Sequence, residues 1–231
     1  MAPITITLPG GALAAADARR LVTTCVETRE RREPAVVVVA NEPGTDFCTG
    51  ADFDPTDVVP DPAAALATVR GPTVCVVSGA CASVGLEIAL ACDIRLCDGS
   101  ARFSMSDPVA GRLPAWGGTQ RLGRAVGVGR ATAMLLLGVE VPAADAVAWG
   151  LVHQAADDLD AALADLLARL DAAAPLALEF AKEAVHRGAE LGLADGLRLE
   201  GDLNHQLAAT DDRAEGLAAF FDKRPPDFSG R

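Results

Sequence analysis

Between Gly79 and Cys92 the run GACASVGLEIALAC carries one side chain that is charged at neutral pH, Glu87. In a buried helix Glu87 would have no Lys or Arg three or four positions away to pair with, and desolvation would raise its pKa. A carboxyl in that state gives and takes protons near neutrality. On an exposed helix stripe the same residue would be a solvated surface charge. Twenty residues on, FSMSDPVAG sets Asp107 before a proline in a polar turn. It is a second carboxyl for proton chemistry, or ordinary Ser-Asp-Pro turn chemistry. The next segment, LPAWGGTQRLGRAVG (113–127), pairs Gly117 with Gly118, which lets two backbones approach closely. Thr119 and Arg121 add polar groups at the start of a helical stretch.

The elements that must position these residues alternate between strand and helix. ITITL (4–8) reads as a short strand, and 13–31 as a surface helix. AVVVVA (35–40) is a continuous β-branched run suited to a strand covered on both faces, as in a parallel sheet. The stretch 41–62, rich in Gly, Asp, Pro and Thr, reads as a loop. A helix near 63–70 leads through Gly71-Pro72 into the strand TVCVVSG and an Ala-, Leu- and Ile-rich stretch ending at Cys92. IRLC (94–97) and LVHQA (151–155) are further strand candidates. Strand, crossover, strand is the pattern of a parallel α/β fold. Helices are expected at 159–172, 176–188, 192–209 and 211–222. The change in character near residue 168 predicts a layered core over 1–168 and a helical region over 169–231.

The chain has 231 residues, enough for one large domain with an appendage. A net charge of −12 opposes an extended phosphate-binding surface, so nucleic acid is set aside as a partner. Six cysteines lie scattered through apolar segments with no CxxC pair, and read as reduced core thiols. His153, His186 and His205 are far apart, and no metal site is expected. No apolar run approaches the roughly 18 to 20 residues that span a bilayer, and no signal-peptide pattern opens the chain. The expected setting is cytoplasmic, away from membranes.

The runs SGACASVGLEIALACDIRLC and FSMSDPVAGRLPAWGGTQRLGRAVG closely resemble the crotonase family of enoyl-CoA hydratases and isomerases. FCTGADF (47–53) resembles that family's first oxyanion-loop motif, and AADAVAWGLVHQ (143–154) the segment after its acyl-binding core. AAFFDKRPPDF resembles its terminal helix and tail. The motifs occur in the family's order across most of residues 35–231.

The resemblance implies a crotonase-like spiral of ββα units with a C-terminal helical region that forms a homotrimer, or a hexamer as a dimer of trimers. It implies an acyl-CoA thioester as substrate and no permanently bound cofactor. The enolate oxygen would be held by the backbone N–H groups of Ala51 and Val84, an arrangement that stabilises developing negative charge by several kcal/mol. Glu87 and Asp107 would fall on the two carboxylate positions that activate water and move a proton. Ala51 and Asp52 would line the pantetheine path, with Phe220 and Lys223 near the nucleotide of a neighbouring subunit. Reversible hydration of a 2-enoyl-CoA is the leading expectation.

Several features depart from the family pattern. The hydratases usually carry glutamate at the position of Asp107, one methylene longer. They commonly have consecutive glycines where Ser83-Val84-Gly85 stands, so a positive φ at residue 84 would strain valine. The usual N-terminal hairpin is not recognisable, and the loop after Asp52 is short. Double-bond isomerisation by a single base, and acyl-CoA binding without turnover, therefore stay open. GACASVG also resembles the nucleophile segment of Clp-type serine peptidases, in which Ser83 would need a histidine base.

Overall fold

The computed structural model describes residues 3–58 and 60–231. Its first half repeats one pattern, two strands and then a helix. The first turn is β1 (Ile4–Leu8), β2 (Ala12–Leu13) and α1 (Ala15–Arg29). The second is β3 (Val37–Asn41), β4 (Gly50–Ala51) and α2 (Pro62–Ala67), and the third is β5 (Thr73–Val77), β6 (Ala80–Ala82) and α3 (Val84–Ala91). A fourth begins with β7 (Ile94–Cys97) and β8 (Arg102–Ser104) and continues into α4 (Gly118–Val126) and α5 (Val128–Leu137). After β9 (Val141–Pro142), α6 (Ala143–Ala148) and β10 (Gln154–Ala155), the chain ends in α7 (Leu159–Asp171), α8 (Pro175–Gly188), α9 (Leu193–Ala208) and α10 (Asp211–Asp222).

The first strands of the four turns, with β10 added at the edge, stack into one parallel sheet in the order β1-β3-β5-β7-β10. Its faces explain why the strands read as unbroken apolar runs. Val37, Val39, Cys75 and Val77 point into the main core, while Val36, Val38, Val74, Val76 and Leu96 alternate to the other face. That second face is covered by Leu159, Leu163, Leu166, Leu167 and Leu170 of α7. Residue 168, where the composition shifts, thus falls inside a helix that covers the sheet.

The second strands form smaller ladders, β2-β4 and β6-β8-β9, linked by a bridge between Cys48 and Cys81. At two or three residues each they carry no period-2 signal, so 41–62 reads as loop although it holds β4. LVHQA supplies a strand only at its last two residues. The N–H groups of Leu151 and Val152 instead donate to the Ala146 carbonyl, closing the turn after α6.

The four C-terminal helices lie where the sequence places them, and their starts show why. Asp158 caps α7 by accepting the Ala161 N–H at 2.9 Å, α8 opens on Pro175, and Thr210 accepts the Arg213 N–H at 3.2 Å to start α10. Helix α8 is tied to the core through Asp93, just after α3. The Asp93 carboxylate accepts Lys182 Nζ at 2.8 Å, lies 3.0 Å from His186 Nε2 and takes the N–H and hydroxyl of Thr73. Burial pushes the Asp93 carboxyl up, but His186, Lys182 and Thr73 together outweigh it and hold the pKa at about 2. Arg70 and Glu179 make a second, bidentate tie at 2.6 and 2.9 Å. Among the described residues no helix is long and apolar enough to cross a membrane.

Candidate active site

Helix α3 is buried along its whole length. Its N-terminus packs on the strand leading into β4 because Gly85 has no side chain: a Cβ there would lie 2.6 Å from Cys48 Cβ and 2.7 Å from the Cys48 carbonyl oxygen. Its C-terminal end is met by the buried guanidinium of Arg95, which donates to the Ala89 and Cys92 carbonyls at 3.3 and 2.5 Å. Glu87, in the middle of this helix, is 1% exposed.

Glu87 Oε1 accepts the backbone N–H groups of Trp116 and Gly118, each at 2.7 Å. Those donors are aimed by the paired glycines. Gly117 turns the chain at φ 89°, and Gly118 opens α4 so close to α3 that a Cβ would sit 2.6 Å from Met105 Sδ and 3.0 Å from Glu87 Cγ. Burial raises the Glu87 pKa; the two N–H groups pull it down, and the charge of Asp107 adds a smaller upward push. The carboxyl ends above its ordinary value, as expected for a buried helix without a partnering cation.

Asp107 begins a short 3-10 turn (107–110) after β8 and is 7% exposed. Its Oδ1 accepts the Ser83 hydroxyl at 2.6 Å and lies 3.9 Å from Arg112 Nη2. Its Oδ2 is buried with no hydrogen-bond partner among the described residues. Glu87 and Asp107 line one cleft of about 580 Å³, together with Ala51, Ser83, Val84, Phe53, Thr56, Arg112 and Leu113.

Ala51 and Val84 both reach this cleft. At the level of Ala51 the bond to β2 is made by the next residue, Asp52 N–H to Leu13 O at 3.1 Å. Because N–H groups alternate sides along a strand, that of Ala51 points away from β2. Val84 is the first residue of α3, a position whose N–H has no partner within the helix. The strain anticipated at Val84 falls instead on Ser83, with φ 50° and ψ −122°; Val84 is not among the residues with positive φ. The sharp change of direction from β6 into α3 is completed one residue before the helix starts.

The remaining expected residues lie off the cleft wall. Asp52 is exposed beside it. Phe220, 77% exposed, and Lys223, the left-handed cap of α10 at φ 55°, do not line the cleft of their own chain. The Ser83 hydroxyl is paired with a carboxylate, while His153 Nδ1 accepts the Arg95 N–H and His186 meets Asp93. The histidine base required by the peptidase reading does not line the cleft.

Trp116, Phe53 and Arg112 also shape the site, although little in the sequence singles them out beforehand. Trp116 is held by Nε1–H donation to Pro55 O at 2.9 Å and packs 6.3 Å from Phe53, centroid to centroid. Arg112 follows Asp107 in the same turn, its N–H donating to the Asp107 carbonyl at 2.9 Å. That five-residue spacing was the available signal.

The chain matches the family described as Enoyl-CoA hydratase/isomerase over residues 4–231. It is 38% identical over 197 residues to the 2,3-dehydroadipyl-CoA hydratase of Escherichia coli, covering 80% of this chain and 77% of that one. It is 40% identical over 171 residues to a Mycobacterium bovis protein named "Probable enoyl-CoA hydratase", covering 72% of this chain and 65% of the relative, so the match spans just under two thirds of that protein. Among solved structures, enoyl-CoA hydratase from Bacillus anthracis superposes with a TM-score of 0.87 at 28% identity, over 95% of this chain and 91% of that one. The spiral of strand–strand–helix turns with a helical C-terminal region is therefore shared with these structures.

Proposed function

The chain belongs to the enoyl-CoA hydratase/isomerase family, and from that premise we propose that it adds water reversibly across the double bond of a 2-enoyl-CoA. The observation that carries this reading is the meeting of two buried carboxyls, Glu87 and Asp107, in one cleft. The thioester oxygen accepts the N–H groups of Ala51 and Val84. As water oxygen bonds to C3, the carboxylate pair takes a proton from it. The C2=C3 electrons shift toward the thioester oxygen, where the two amides stabilise the enolate. Its collapse draws a proton from the pair onto C2, so one water is added and the carboxyls return to their starting state. The raised pKa of Glu87 suits it to hold a proton for part of this cycle.

Coenzyme A is a substrate handle in this scheme and no permanent cofactor takes part. Residues 1–168 hold the site and 169–231 assemble the homotrimer or dimer of trimers, with Asp52 beside the pantetheine path and Phe220 and Lys223 reaching a neighbour's nucleotide. Support comes from Val185, Leu193, Leu197, Phe220 and Phe221, large apolar side chains left exposed on the C-terminal helices. A cytoplasmic setting belongs to the same proposal and is supported by six unpaired, buried thiols.

The test is a turnover screen of the purified protein over 2-enoyl- and 3-enoyl-CoA thioesters of increasing length, with Glu87→Gln as control. Formation of 3-hydroxyacyl-CoA that is lost in the control supports hydration. Migration of the double bond without water uptake would point to isomerisation, for which one cleft carboxyl, Asp107 or Glu87, suffices as the base. Binding without turnover would sink both.

A further inference from the structure

Ser83 stands at the turn from β6 into α3 in a backbone conformation that glycine adopts freely and other residues rarely do. Such strain persists where the surrounding contacts hold it in place, and it concentrates at functional sites. Three contacts hold Ser83. Its N–H donates to the Ser104 carbonyl at 3.2 Å and its carbonyl accepts the Glu87 N–H at 3.1 Å, tying it to β8 and to the turn of α3 that carries Glu87. Its hydroxyl donates to Asp107 Oδ1 at 2.6 Å, a short, charge-assisted bond.

The third contact fixes the orientation of the Asp107 carboxyl. With Oδ1 occupied by Ser83 and flanked by Arg112 at 3.9 Å, Oδ2 is the oxygen left without a partner. A carboxylate on so short a side chain has little freedom to correct its aim, and a misplacement of about 1 Å costs roughly 100-fold in rate. The Asp107 carboxyl already meets the Ser83 hydroxyl at 2.6 Å, so a side chain one methylene longer could not keep both its backbone position and that bond length without rearranging. Residue 83 and residue 107 are in this sense matched in size.

Resting on the hydration reading above, we infer that Ser83 is a positioning residue for the reaction: its hydroxyl fixes the Asp107 carboxyl through Oδ1 and so sets where that carboxyl stands in the cleft wall shared with Glu87. Its backbone strain is the consequence of carrying a Cβ, which the hydroxyl requires, where the turn itself favours glycine.

Four variants test this against a purely structural role, using trans-2-butenoyl-CoA and the 231-residue chain. Ser83→Gly removes the hydroxyl and relieves the positive φ, so kcat should fall about 10- to 100-fold, as for a lost hydrogen bond to a charged group, while the thermal midpoint does not fall. KM should stay within about twofold, because the hydroxyl acts through Asp107 and not on the substrate. Ser83→Ala should lose the same activity. Asp107→Glu alone should lose about 10-fold or more, and Ser83→Gly/Asp107→Glu should recover kcat to within about threefold of the parent, since the longer acid then meets a residue with room for it. Unchanged kcat in Ser83→Gly, or losses that simply multiply in the double variant, would overturn the positioning role alone. A parent that turns over no enoyl-CoA overturns the hydration reading, and the positioning role falls with it.

Discussion

Gly118 donates its backbone N–H to Glu87 Oε1 at 2.7 Å across a contact that leaves no room for a side chain. The bond joins the first residue of α4 to the middle of α3, and it depends on Gly118 having no Cβ. Glu87 is thus held by the main chain of a neighbouring turn, and its orientation does not rely on another side chain's rotamer.

Gly118→Ala is expected to lower stability by about 1–3 kcal/mol, because the new methyl group would overlap Met105, itself fully buried, and crowd Glu87. The loss should appear as a lower urea midpoint with an unchanged m-value. Turnover should fall as well, since the displaced carboxyl no longer meets substrate as before.

Glu87→Gln should keep the fold and lose about 100- to 10,000-fold in turnover. The amide oxygen can still accept the Trp116 and Gly118 N–H groups. Because folding raises the Glu87 pKa above 4.5, its contribution to stability is fully present below about that pH and is lost as pH rises through the raised folded value. The neutral amide escapes that loss. Thermal melts should show Glu87→Gln gaining on the parent as pH rises above about 4.5; a constant difference would contradict it.

Asp93→Asn should detach α8 from the core electrostatically, leaving Lys182 without its carboxylate, and cost about 3 kcal/mol near neutrality. The folded pKa of about 2 lies below the ordinary 3.8, so this stabilisation is present above about pH 4 and lost as pH falls toward 2. Denaturant titrations at neutral and acid pH should therefore show the parent's advantage shrinking on acidification.

Native protein should resist thiol alkylation at about pH 8. All six cysteines are free and buried, and burial pushes Cys25 up to about 12 and Cys97 to about 11. Intact mass after iodoacetamide should show little labelling until the chain is unfolded, when six additions appear. Prompt labelling of the native protein would show that the core opens around them.

The sequence itself carried a large part of this protein. Unbroken β-branched runs such as 35–40 announced a sheet covered on both faces, helix-forming composition after residue 159 marked the C-terminal helices, and the order of the motifs pointed to the family. Glu87 was legible as an anomaly because a lone carboxylate in an apolar helix has no local partner. The two- and three-residue strands were not legible, since they are too short to carry a period.

Tertiary structure alone decided how the site is wired. Ser83 and Asp107 are 24 residues apart, and Glu87 and Gly118 are 31 apart, yet each pair is in hydrogen-bond contact. Residue type sets what a group can donate or accept. Which groups meet depends on how successive turns of the spiral stack, and on gaps a single methyl would close, as at Gly85 and Gly118. The same path of the chain moved the backbone strain from Val84 to Ser83, because the turn into α3 is completed one residue before the helix begins.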